Sequence, residues 1–207
     1  NMGAALRDQG KLDEAIQAYK TALSLNPDYT DAHNNMGNAL TDQGKLDEAI
    51  EAYKTALSLN PDYADAYNNM GAALRNQGKV DEAIEAYKTA LSLQPDNVEA
   101  HNNKGNALKD QGKVEQALAA YNMAISLRPN YATAYCNIGV IHQEEGRLHD
   151  AISHYEKAIS IKLDYADAHL NRGLALLNAG ELKQGLDEYE WRLKRPENFL
   201  DLRYFSK

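Results

Sequence analysis

Cysteine, phenylalanine and tryptophan are nearly missing from this chain: its 207 residues include one cysteine (Cys136), two phenylalanines and one tryptophan. A single cysteine excludes an internal disulfide framework and any cysteine-rich zinc site. No apolar run approaches the roughly 18 residues that a membrane span needs, so membrane insertion is not expected. Positive charge is also short. Lys and Arg total 22 against 30 for Asp and Glu, a net charge of −8. That balance argues against a nucleic-acid backbone or an anionic membrane as the main partner, because both are held chiefly by positive charge. Proline occurs only five times, and with 43% apolar and 25% charged residues the composition is that of a folded chain. Against these scarcities stand thirteen tyrosines, an odd choice of aromatic for an ordinary core.

The residues that are present recur with a period of 34. Glycines fall at Gly3, Gly37, Gly71, Gly105, Gly139 and Gly173, and a second set follows seven residues later at Gly10, Gly44, Gly78, Gly112, Gly146 and Gly180. Alanines recur at Ala15, Ala49, Ala83, Ala117 and Ala151, with Gly185 in the sixth place, and tyrosines at Tyr19, Tyr53, Tyr87, Tyr121, Tyr155 and Tyr189. Prolines close four units at Pro27, Pro61, Pro95 and Pro129. Between the paired glycines, Met70, Ala73 and Leu74 share one face at helical spacing. The second glycine sits where a helix end needs a residue tolerant of positive φ. Asp47 and Glu48 then open a second helix, where they complement its dipole. Its apolar stripe, Leu46, Ala49, Ile50, Tyr53, Ala56 and Leu57, keeps the 3.6 period until Pro61. Each unit therefore reads as helix, turn, helix, turn. One such pair cannot bury its apolar faces, so neighbouring pairs must stack.

This pattern resembles the tetratricopeptide repeat, a 34-residue helix-turn-helix. In residues 31–63 the family's positions read as His33, Gly37, Leu40, Gly44, Ala49, Tyr53, Ala56 and Pro61. The resemblance implies an all-α, right-handed α-solenoid of six repeats over 1–196. The units are 1–29 (truncated), 30–63, 64–97, 98–131, 132–165 and 166–196 (degenerate), and a capping or junction segment follows at 197–207. Asn1 already stands two residues before a repeat glycine, so further repeats upstream are expected. With no targeting segment in view, the expected location is cytoplasmic.

Two residues before each repeat glycine lies an asparagine: Asn1, Asn35, Asn69, Asn103, Asn137 and Asn171. Asparagine is a mediocre helix former, so six in mid-helix cost stability that packing alone does not explain. Asn34, Asn38, Asn68, Asn102 and Asn106 surround them. The column resembles the asparagine ladder in the tetratricopeptide superhelix of O-linked N-acetylglucosamine transferases. That resemblance places these eleven residues in a concave groove lined by the first helices, where carboxamides pair with the backbone of an extended peptide. The bond pattern could equally stitch neighbouring repeats to one another. Asp31, Asp65, Glu99 and Asp167 make the groove entrance acidic, so a neutral or basic protein segment is the expected partner.

The expected function is thus a non-enzymatic protein-protein interaction scaffold. Two alternatives are the substrate-recruiting arm of a larger enzyme such as a glycosyltransferase, and a self-associating module. The segment Gly180–Pro196 resembles the closing module of bacterial tetratricopeptide proteins, some of which continue into glycosyltransferase-type domains. Self-association would use the aromatic C-terminal segment, which holds Trp191, Phe199 and Phe205. No cofactor signature, phosphate-binding glycine loop or nucleophile motif is present. His33, His101 and His169 share a repeat position with Tyr67 and Tyr135 and read as packing groups, while His142, His149 and His154 lack the i, i+4 spacing of a helical metal site. Lys104 and Arg172, which replace apolar residues before the repeat glycine, are expected to turn their charges outward.

Overall fold

A computed structural model describes residues 2–194. Asn1 and residues 195–207 lie outside the described residues. The place of Asn1 in the asparagine column and the reading of 197–207 as a cap or junction fall there.

The described residues form twelve α-helices in six pairs. The first helices are α1 (Met2–Asp8), α3 (Thr30–Asp42), α5 (Ala64–Asn76), α7 (Val98–Asp110), α9 (Ala132–Glu144) and α11 (Ala166–Asn178). The second helices are α2 (Leu12–Leu25), α4 (Leu46–Leu59), α6 (Val80–Leu93), α8 (Val114–Leu127), α10 (Leu148–Ile161) and α12 (Leu182–Tyr189). A 3-10 helix at Glu190–Lys194 follows α12. The fold class is an all-α solenoid of helix pairs.

The turn inside each pair is set by its glycine. Gly44 has φ +74°, its N–H donates to Thr41 O at 2.9 Å, and the Lys45 N–H reaches back to Leu40 O at 2.9 Å. This is the Schellman arrangement, which satisfies the last carbonyls of α3 and needs the left-handed backbone that glycine adopts without steric cost.

Two compact units divide at Ala117 and Leu118, inside α8. In the first, α1 to α7 pack consecutively, and each first helix also touches the next first helix. In the second, α9 packs on α10, α10 on α11 and α11 on α12, with α9 against α11 and the 3-10 helix against α11 and α12.

The tyrosine excess has its cause in the gap between paired helices. Tyr19, Tyr53, Tyr87, Tyr121 and Tyr155 are each at most 2% exposed. A Cβ placed on Gly37 would stand 2.6 Å from the Tyr53 ring, and one on Gly139 would stand 2.6 Å from the Tyr155 ring, so the bare glycine is what admits the ring. Burying a ring of this size stabilises the pair by about 1.5–3 kcal/mol. Phenylalanine would fill the same space, but the hydroxyl has work to do. Tyr53 donates to Asn38 Oδ1 at 2.7 Å and Tyr155 to Gln143 Oε1 at 2.8 Å, as a buried phenol must if it is not to lose a hydrogen bond.

Candidate functional site

On a helix of 3.6 residues per turn, Asp31, Asn35, Asn38 and Asp42 of α3 share one face. Asp65 and Asn69 of α5 occupy the same places, as do Glu99, Asn103, Asn106 and Asp110 of α7. Two Asp residues at the far end of this face carry arginine partners from the first helix before: Arg7 donates to Asp42 at 2.6 Å and Arg75 to Asp110 at 2.6 Å. At the near end Asp31, Asp65 and Glu99 are exposed and Asp167 is half-buried.

Two column asparagines of this face are tied to the preceding repeat. Asn69 Nδ2 donates to Asn34 Oδ1 at 3.2 Å, and Asn103 Nδ2 donates to Asn68 Oδ1 at 3.1 Å. The spacing is 35, one more than the period, because contact between successive first helices brings each column residue beside its predecessor's inner neighbour. Asn34 continues the chain by donating to the Tyr63 hydroxyl at 3.5 Å. Tyr63 in turn is hydrogen-bonded to Asp31, and burial together with that carboxylate pushes its hydroxyl up to about 12. Asn34 and Asn102 are 5% and 3% exposed, whereas Asn35, Asn68, Asn69, Asn103, Asn106, Asn137 and Asn171 are half-buried.

The sequence-predicted amides thus fall into two sets. Asn34 and Asn68 form the inner side of a seam between repeats, and Asn69 and Asn103 form its outer side, each with one amide N–H committed inward. Asn38 belongs instead to the helix pair, as the acceptor for Tyr53. In the second unit the seam changes chemistry. Asn171 Nδ2 lies 3.9 Å from Cys136 Sγ, where asparagine would stand in the regular pattern. Burial holds the Cys136 thiol up at about 11, against hydrogen bonds from Tyr165 and Asn171 that lower it.

The histidines at the shared aromatic position do more than pack. His33 Nε2 donates to Pro27 O at 2.8 Å, His101 Nε2 to Pro95 O at 2.9 Å and His169 Nε2 to Leu163 O at 3.0 Å. Tyr135 donates to Pro129 O at 3.4 Å. Each ring clamps the turn that precedes its helix. Among the described residues no group of three or more His, Cys, Asp or Glu is placed to hold a metal ion; His142 and His154 meet edge to face with centroids 4.9 Å apart. Arg172 departs from expectation. Its guanidinium turns to Glu188 of α12 and lies 3.8 Å from Glu156, because the short α12 presents a half-buried carboxylate at that point.

A family model described as TPR repeat matches residues 3–41, 37–78, 71–112, 105–146 and 143–180. The chain belongs to the tetratricopeptide repeat family. Among solved structures, MamA is 28% identical with a TM-score of 0.67, covering 80% of this chain and 97% of MamA. PilW, described as a widely conserved type IV pilus biogenesis factor, is 22% identical with a TM-score of 0.82, covering 100% of this chain and 92% of PilW. YrrB, described as a TPR protein with an unusual peptide-binding site, is 23% identical with a TM-score of 0.61, covering 91% and 98%. The likeness to PilW and YrrB is one of fold. No curated protein matches the sequence. No described helix is long and apolar enough to cross a membrane.

Proposed function

We propose that this tetratricopeptide scaffold is non-enzymatic and binds an extended, neutral or basic protein segment along its asparagine-lined helix face. The observation that supports this reading is the bonding of Asn69 and Asn103. Each directs one amide N–H inward, to Asn34 or Asn68, which fixes the orientation of the carboxamide. On these half-buried residues the Oδ1 and a second N–H remain, one acceptor and one donor, the complement of a peptide bond. Fixing the amide beforehand reduces the ordering cost of binding. The exposed Asp31, Asp65 and Glu99 at the start of the same face, on a chain of net charge −8, disfavour acidic ligands.

Magnitudes limit the affinity. A hydrogen bond contributes about 0.5–1.5 kcal/mol net, while ordering peptide backbone costs about 1–2 kcal/mol per residue. Backbone pairing alone therefore gives micromolar binding or weaker. The test is selection from a random peptide library, followed by titration against the double variant Asn69→Ala, Asn103→Ala. A loss of roughly tenfold or more, with helicity unchanged by circular dichroism, is expected. Equal affinity in that variant rejects the reading. The variant Asn34→Ala, Asn68→Ala removes the same inter-repeat bonds from the inner side and keeps the outward atoms. It should therefore bind better than the first variant. Selection of acidic peptides would reject the charge preference.

A further inference from the structure

The α9–α10 pair carries two imidazoles where other pairs carry an aliphatic couple. Leu40, Leu74 and Leu108 recur at the period of 34 on first helices and are 4–5% exposed. Ala52, Ala86 and Ala120 recur likewise on second helices and are 5–6% exposed. Leu40 and Ala52 line one depression, and Leu74 and Ala86 line another. In α9 and α10 the same two places hold His142 and His154, whose rings meet edge to face with centroids 4.9 Å apart. His142 is 9% exposed.

The neutral form suits this place and the charged form does not. His142 Nδ1 is buried without a hydrogen-bond partner among the described residues. The Glu145 carboxylate stands 3.9 Å away, beyond hydrogen-bond reach, and is already paired with Arg147. His154 Nδ1 donates to Asp150 O at 2.8 Å, so a second proton on that ring must go to Nε2. Burial, Arg147 and His154 hold His142 below the usual imidazole range, against the opposite pull of Asp150 and Glu145. On α11, which packs on both helices, Asp167 lies by Cys136 and Tyr165, while His169 and Arg172 bond Glu188. His149 of α10 is exposed. Two imidazolium ions 4.9 Å apart would repel each other here, with Glu145 already committed to Arg147. We propose that His142 and His154 form a pH-sensitive latch: both rings are neutral when α9 lies closed on α10, and below about pH 6 their protonation opens this pair locally while the pairs that hold Leu and Ala stay closed. An unperturbed imidazole titrates near 6.5. An open pair takes up protons that the closed pair resists, so stability from these groups is whole above about pH 6.5 and is lost as pH falls below it.

Native-state amide exchange of the full chain, corrected for the intrinsic rate at each pH, tests the latch. Between about pH 7.5 and about pH 5.5 the opening equilibrium of 132–161 should rise about tenfold, the effect of one proton taken up a pH unit below the open-state midpoint. That of 64–93 should stay constant. The variant His142→Leu, His154→Ala carries the regular couple and should lose the rise. No rise in 132–161, an equal rise in both segments, or a rise that persists in the variant overturns the proposal. If that variant fails to fold, ring titration followed by NMR decides: His154→Ala should move the midpoint of His142 to higher pH, and an unchanged midpoint overturns the proposal.

Discussion

The regular repeats and the last one solve the same packing problem in opposite ways. In α3 and α4 a bare glycine admits a buried ring: Gly37 faces Tyr53, and the ring separates the helices. In α11 and α12 no ring of the described residues stands against the glycine. A Cβ on Gly173 would meet backbone, Tyr189 N at 2.8 Å and Gly185 O at 3.0 Å, and a Cβ on Gly185 would meet Leu177 Cγ at 2.7 Å. With glycine in both helices the backbones close directly, and Tyr189 is only half-buried. The aromatic mass moves instead to Trp191, stacked on His169. A spacer ring ties two helices across a shared core, whereas in α11 and α12 the two backbones themselves come into contact. Trp191 thus stands where the packing mode changes.

Removing a spacer ring separates the two packing modes most strongly. Tyr53→Ala should lower unfolding stability by about 3–5 kcal/mol, the range for deleting a large buried aromatic. Tyr189→Ala should cost clearly less, since Tyr189 is half-exposed and fills no closed gap. Chemical denaturation of both variants decides the matter, and equal losses would erase the distinction between the two packing modes.

The spacer rings also predict a pH dependence. Burial pushes the Tyr53 hydroxyl up to about 12, against the lowering effect of its bond with Thr41, while an unfolded tyrosine titrates near 10. The folded state therefore keeps its proton longer than the unfolded state. Stability from this group is intact below about pH 10 and is lost as pH rises from there to about 12, by on the order of 2 kcal/mol. Denaturant midpoints measured from pH 9 to 12 should show the fall, and Tyr53→Phe should flatten its share of it.

Much of this architecture was legible in the sequence because it rests on local constraints. A positive-φ glycine, an apolar stripe and an acidic first turn each act within one helix or turn, so a period of 34 exposes them. The site was legible only in part. The asparagine column could be read, but the division into an outer column and an inner seam could not, because it depends on the offset between successive first helices, which appears as a spacing of 35 and not 34. The turn-clamping role of His33 and His101 was hidden for a related reason: its acceptor is a backbone carbonyl six residues back, which leaves no mark in residue identity. The partner of Arg172, Glu188, was hidden as well, because it belongs to the last repeat, where the period decays.

A smaller effect separates the two kinds of close approach. Gly71→Ala places a Cβ 2.7 Å from the Tyr87 ring, which is 1% exposed and has no room to swing. Overpacking costs about 1–3 kcal/mol, of which helix propensity returns about 1. The net loss should appear in the global denaturation midpoint. Gly173→Ala meets backbone, yet α12 has only eight residues and can shift as a body. Its expected signature is faster amide exchange across 182–189 with a smaller change in midpoint.

The smallest expected effect concerns the seam. Cys136→Asn would restore, opposite Asn171, the pair that Asn34 makes with Asn69 and Asn68 with Asn103. Cys136 is 3% exposed, so the new amide is useful only if both of its ends find partners. Its Oδ1 can accept from Asn171 Nδ2, which now lies 3.9 Å from sulfur. Its Nδ2 can donate to the Tyr165 hydroxyl, which already bonds Cys136 as Tyr63 bonds Asn34. With both bonds made, the exchange of a weak sulfur contact for two amide bonds should raise stability by up to about 1 kcal/mol. If the last seam differs in spacing from the regular ones, an amide end is left unpaired and the variant should lose about 1–3 kcal/mol instead. The sign of the shift in the denaturation midpoint therefore reports whether the geometry of the regular repeats persists to the place where their packing changes.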